Sequence, residues 1–290
     1  MRMRLNSFRI TRFSSRVLGL VLLLTGTMGA PALVTGEDFR YPLSAAVTKG
    51  GVVYVADRNL PGVWKVTNGS LSIYFRASKK FRTPLNAIRC VAADHDGKLL
   101  ACDTGTRQVY RFDKAGKPQP LVTEKTGIGI PMDVVADSKG NLFVSDLEVH
   151  WIWKLPAGGG KPTKFAEISA PRGLAIDKQD RVWVIAYITD QIRRITPDGK
   201  VEVLVKGRPF RFPHDIVLDH NNVAYVSDGY GKTIWKVGAD GKPKSWISGK
   251  PLVNPVGLAW KGKNLLIVDP RANAVFEATP DGKLSRFAPK

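Results

Sequence analysis

A short strand ending in a small residue and an aspartate recurs along this chain. Copies lie at Val52–Asp57, Leu99–Asp103, Leu142–Asp146, Ala224–Asp228 and Leu265–Asp269, and a sixth, Val182–Ala186, has alanine in place of the acid. The steps between the terminal positions are 46, 43, 40, 42 and 41 residues. A sustained period of this size means stacked copies of one supersecondary unit, each burying a face that it cannot bury alone. A second strand follows each copy, as in Val63-Trp64-Lys65-Val66 and Ile234-Trp235-Lys236-Val237. An apolar strand and a tight turn such as Asp94-His95-Asp96-Gly97 precede it, and a fourth strand follows turns such as Pro197-Asp198-Gly199-Lys200. Four short strands per unit with period-two patterning, and no helical periodicity, predict an all-β chain: a six-bladed β-propeller of four-stranded antiparallel blades. A sandwich imposes no constant step.

The N-terminus sets the compartment. Residues 1–16 carry five arginines and no acid, an apolar run Val17–Leu24 follows, and Ala30-Pro31-Ala32 offers a small-x-small cleavage site. This pattern reads as a signal peptide over residues 1–32, with the propeller over 33–290. A retained anchor is the rival, but Gly26, Thr27 and Gly29 interrupt the run, and no later stretch is long enough to span a bilayer. Removing the five leader arginines lowers the net charge from +19 to +14. That balance suits an acidic glycan or another anionic partner, although scattered lysines also simply keep a surface soluble. The densest basic patch, Lys79-Lys80-Phe81-Arg82, matches no nucleic-acid motif, and an export leader argues against such a partner.

Strings such as Pro-Arg-Gly-Leu-Ala-Ile-Asp (171–177) and Asn-Leu-Phe-Val-Ser-Asp (141–146) resemble NHL repeats. The wider clan includes the SMP-30/gluconolactonase-like lactonases, peptidyl-amidoglycolate lyases and strictosidine-synthase-like proteins. The resemblance covers all six units and speaks to fold more than to function.

Propeller ligands bind at a channel mouth, so the residues that start each innermost strand are the candidates. Aligning the units on their turns places Ser44, Cys90, Asp133, Gly173, Asp215 and Gly257 there, preceded by Leu43, Arg89, Met132, Arg172, His214 and Val256. Loops opening on the same end add Arg58, Arg107, Glu148, His150, Tyr187, Asp190, Tyr230 and Arg271. The expected ligand-binding set is Arg89, Asp133, Arg172, His214, Asp215, Tyr187 and Tyr230, with His214 also the candidate catalytic base. Two carboxylates facing one channel repel, and a divalent cation, calcium or zinc, is one way to relieve that at Asp133 and Asp215. Pairing with Arg89 and Arg172 is another. The resemblance to the lactonases implies a metal held by Glu, Asn and Asp, but Ser44 stands where their first-unit Glu belongs. The lyases' zinc needs three histidines; of the four here, only His150 is placed to approach His214.

The repeated Asp is expected to accept backbone N–H bonds, and Trp64, Trp153 and Trp235 to pack between blades. A register with residue numbers summing to 192 pairs Cys90 with Cys102, as a disulfide or as two buried thiols. Three functions stay open: a binder of a small or oligomeric anionic ligand at the mouth, a metal-dependent lactonase or related hydrolase, and a scaffold whose blade edges bind a protein partner.

Overall fold

A computed structural model describes residues 38–78, 80–123 and 127–290; the expected signal peptide lies outside them. The described chain forms six four-stranded antiparallel sheets, each from one contiguous stretch. The innermost strands are Pro42–Val47, Ile88–Ala93, Pro131–Ala136, Pro171–Ile176, Pro213–Leu218 and Gly257–Lys261. Each packs beside the next, and the first packs beside the last, which closes the propeller. Among the described residues no strand is exchanged to seal the ring. Instead Phe39 and Trp64 of blade 1 share a buried cluster with Leu266 and Val268 of blade 6, and the Lys290 N–H donates to the Gly69 carbonyl. The other five blade junctions hold a cluster apiece, so the core is a ring of wedges between sheets. The tryptophans belong to it: Trp153 packs with blade 2 residues and Trp235 with blade 4 residues.

Innermost strands start, and second strands end, at the same end of the propeller, because Pro131 pairs with Asp146 and Pro213 with Asp228. At that end sits the repeated aspartate. Asp57 accepts N–H bonds from Arg40, Tyr41, Asn59 and Leu60 and from the Trp64 indole, at 2.7–3.1 Å. Asp103, Asp146, Asp228 and Asp269 repeat the arrangement, and all five carboxylates are fully buried. Each therefore clamps the loop entering its blade to the hairpin leaving its second strand, satisfying N–H groups that would otherwise be orphaned. Blade 4 has Ala186 there. Nearby, the fully buried Gln191 accepts from the Phe210 N–H and donates to the Phe210 and Tyr187 carbonyls, tying down the adjacent loops.

Candidate functional site

The six strand-start residues alternate in role around the channel. In the odd blades they are polar and reach forward to the next blade. Ser44 Oγ bonds the Val91 N–H and carbonyl, Asp133 Oδ2 accepts the Leu174 N–H at 2.8 Å, and Asp215 Oδ2 accepts the Leu258 N–H at 2.8 Å. Each aspartate uses its other oxygen for the next N–H in its own strand, Val134 or Ile216. In the even blades the residue is small, since the following odd blade approaches closely. A Cβ on Gly173 would lie 2.6 Å from Asp215 Cα, and one on Gly257 2.7 Å from the Leu43 carbonyl oxygen. The inner ring thus has approximate threefold character.

Two cavities meet at this ring. The outer one, the mouth, holds about 420 Å³ and is lined by Leu43, Arg58, Arg89, Met132, Arg172, Phe212 and His214, among others. The inner one, about 250 Å³, is lined mainly by Ala and Val side chains of the innermost strands. Ser44, Asp133 and Asp215 stand at the neck between them, against the same small void as Arg89, Arg172 and His214. Five of the seven expected ligand residues therefore converge there.

Tyr187 and Tyr230 join through an aromatic wall that strand-start alignment missed. Phe212 stacks on Tyr230 with centroids 4.4 Å apart, meets Tyr187 edge-on at 4.9 Å, and meets His214 at 4.7 Å. The Arg172 guanidinium lies 4.6 Å over Phe212 and 5.5 Å over Tyr187, while Arg208 covers Tyr187 at 4.7 Å. Of the other loop residues, Arg107 pairs with Glu148 at 3.2 Å, and Asp190 accepts the Gly207 N–H. His150 is exposed and lines neither cavity, so no second histidine meets His214.

Among the described residues Arg58, Arg89 and Arg172 have no ion pair within 4 Å. Burial pulls Arg172 down to about 10, helped by repulsion from Arg89. Burial likewise lowers Arg89, which Arg58 repels and which Cys90, Asp133 and Asp215 partly support. His214 is driven down to about 2 by burial and then by the Arg172 and Arg89 charges, so its imidazole is neutral. Both its ring nitrogens, Arg172 Nε and Asn254 Oδ1 are buried without a protein partner. Asn254 belongs to the same corner, because a Cβ on Gly229 would sit 2.6 Å from its Oδ1 and 3.2 Å from His214 Nε2. Burial raises Asp133 to about 6 against its two N–H bonds. Asp215 rises further through burial and repulsion by Asp133.

The expected metal does not fit this ring. Asp133 and Asp215 spend both oxygens on backbone N–H groups, Arg89 supplies positive charge beside them, and His214 is the one histidine at the neck, with no third acid among the described residues. Among the described residues no group of three His, Cys, Asp or Glu side chains is placed to hold an ion. Cys90 and Cys102 do sit opposite each other in the expected register. They are free buried thiols rather than a disulfide, and burial pushes Cys90 up.

Neither a protein-family profile nor a curated protein matches the chain. Solved structures do. A gluconolactonase from Xanthomonas campestris superposes with a TM-score of 0.70 at 17% identity, over 86% of this chain and 87% of that one. Virginiamycin B lyase from Staphylococcus aureus gives 0.67 at 16%, covering 87% and 85%. A nidogen/laminin complex gives 0.67 at 18%, covering 86% and 93%. The shared feature is the propeller. At these identities the likeness is one of fold.

Proposed function

We propose that this chain is an exported NHL-type propeller that binds a small anionic ligand, a carboxylate or an acidic sugar, at the channel mouth. The observation that carries this reading is a pocket with positive charge and unpartnered polar atoms. Arg58, Arg89 and Arg172 line it without an ion pair. Its histidine is neutral near pH 7, and one neck carboxyl stays protonated well above the usual range. An anion entering the mouth supplies the acceptors that the two inner arginines lack. The Phe212–Tyr230 stack offers a face for an apolar edge, and His214 and Asn254 can bond hydroxyl groups. Signal peptide, export and repeat family stand on the sequence pattern.

Thermal unfolding with benzoate, glucuronate or inorganic phosphate, and glucose as the neutral control, tests the reading. At least one anion should stabilise the protein, less so as salt rises. Arg172→Ala should weaken that anion roughly tenfold or more, as loss of a charge-assisted hydrogen bond does. Stabilisation by glucose alone would sink the proposal.

A hydrolytic reading draws on one further observation: Asp133, near 6, lies in the range of a general base, whereas His214 is too weak a base. Both Asp133 oxygens are committed to backbone N–H groups, which ranks this reading second. A lactone-hydrolysis screen of wild type and Asp133→Asn distinguishes it, since only an enzyme shows turnover that the variant loses.

A further inference from the structure

The two ends of the propeller differ in what their loops expose. Among the described residues eight large hydrophobic side chains are exposed, and five of them lie on loops at the mouth end: Phe81, Val149, Ile188, Tyr230 and Val253. The other three, Ile73, Val201 and Val203, belong to outer strands. The hairpins at the opposite end expose none. Phe81 is 74% exposed and stands clear of the fold, and Tyr230, stacked on Phe212 by one face, is still 56% exposed. Cations flank them: Lys80 and Arg82 beside Phe81, and Arg208 and Arg211 in the loop next to Ile188 and Tyr230, all four exposed. Of the acids at this end, Glu148 pairs with Arg107 and Asp190 with the Gly207 N–H and Arg193, while Asp38 and Glu167 are exposed.

From this we infer that the mouth end docks on an anionic lipid surface, with the apolar loop tips entering the interface and the arginines and lysines meeting the headgroups. The arrangement suits a bilayer better than a protein. A protein interface needs one contiguous apolar core, whereas these side chains are single tips spread round a rim. Separate tips can each enter a fluid interface, and flanking cations add attraction to anionic lipid. The inference is independent of which anion fills the mouth.

Co-sedimentation of the mature-length protein with phosphatidylcholine vesicles, with and without phosphatidylglycerol, tests it. Binding should require the anionic lipid. The pair Phe81→Ser and Ile188→Ser should weaken it roughly tenfold or more, since burying such side chains drives partition. Both positions are solvent-exposed, so the fold should survive, and an unchanged unfolding temperature checks that. Orientation gives a second readout. Cys90 and Cys102 are buried, so an environment-sensitive dye can be attached to Ile188→Cys or, at the opposite end, to Asp198→Cys. The dye should shift on vesicle addition only in the first. Absence of binding to anionic vesicles would overturn the inference. So would binding unaffected by the paired serine substitutions, or a dye shift at both ends.

Discussion

The two ends of this propeller solve the same problem, closing strands into loops, in opposite ways. At the end away from the mouth the turns are closed mainly by local bonds, with Ser138 to Asp180 a bond between neighbouring blades. Asp137 accepts the N–H groups of Lys139 and Asn141, Asp177 those of Gln179 and Arg181, and Asp219 those of Asn221 and Val223. Each of these partners lies two to four residues away. At the mouth end the aspartate clamps reach further along the chain, with partners such as Arg40 and Asp57 seventeen residues apart. The centre of that end is left unfinished, holding unpaired arginines and orphaned polar atoms. One end is satisfied mainly locally and is structural. The other is held by long-range contacts and keeps unmet bonding capacity where a ligand can use it.

The largest expected effect contrasts the two kinds of aspartate. Asp146→Ala strips partners from the buried Gly129 N–H and Trp153 indole and from the part-buried N–H groups of Ile130 and Glu148, and should cost about 3 kcal/mol or more in denaturant unfolding. Asp219→Ala leaves N–H groups that water can reach, and should cost about 1 kcal/mol or less. Equal costs would erase the distinction. Next is Gly173→Ala, whose Cβ would press on Asp215 and should cost about 1–3 kcal/mol by overpacking the neck. A smaller effect of the other sign is expected from Arg172→Met. Removing a partly buried cation without a partner should leave the free protein as stable or up to about 1 kcal/mol more stable, while anion binding falls.

Two pH effects at the mouth oppose each other, so the variants are needed to see them. His214 titrates near 2 when folded and near 6.5 when unfolded, so the unfolded chain takes up the proton first and stability falls as pH drops below about 6.5. Asp133 titrates near 6 when folded and near 3.8 when unfolded. The folded chain therefore holds the extra proton between those values, and stability falls as pH rises through them. His214→Gln should lose stability less steeply on acidification than wild type, and Asp133→Asn less steeply as pH rises from about 4 to 6. Parallel unfolding curves for wild type and both variants would show that neither group is perturbed as described.

What was legible in the sequence follows the same division. Blades, turns and the repeated aspartate were readable because their determinants recur at a fixed step or lie within a few residues of one another. The strand-start alignment also brought Arg89, Asp133, Arg172, His214 and Asp215 to one neck. The bonds of Asp133 and Asp215 were not legible, because each reaches a backbone N–H in the next blade, about forty residues on, and a backbone group leaves no mark on residue identity. That is why a cation looked plausible there. Phe212 and Asn254 were missed because they lie upstream of the aligned pair, in loops of unequal length. The pairing of Cys90 with Cys102 was readable from the hairpin register, but their redox state was not.

The contrast between the ends reduces to whether the mouth is an anion site that works without metal. Titration calorimetry of the benzoate, glucuronate or phosphate that stabilises the protein, before and after exhaustive chelation, measures this directly. Affinity should be unchanged by chelation, should fall as salt rises, and should be largely lost in Arg172→Ala. Binding that disappears with the chelator, returns with calcium or zinc, and is lost in Asp215→Asn would contradict it.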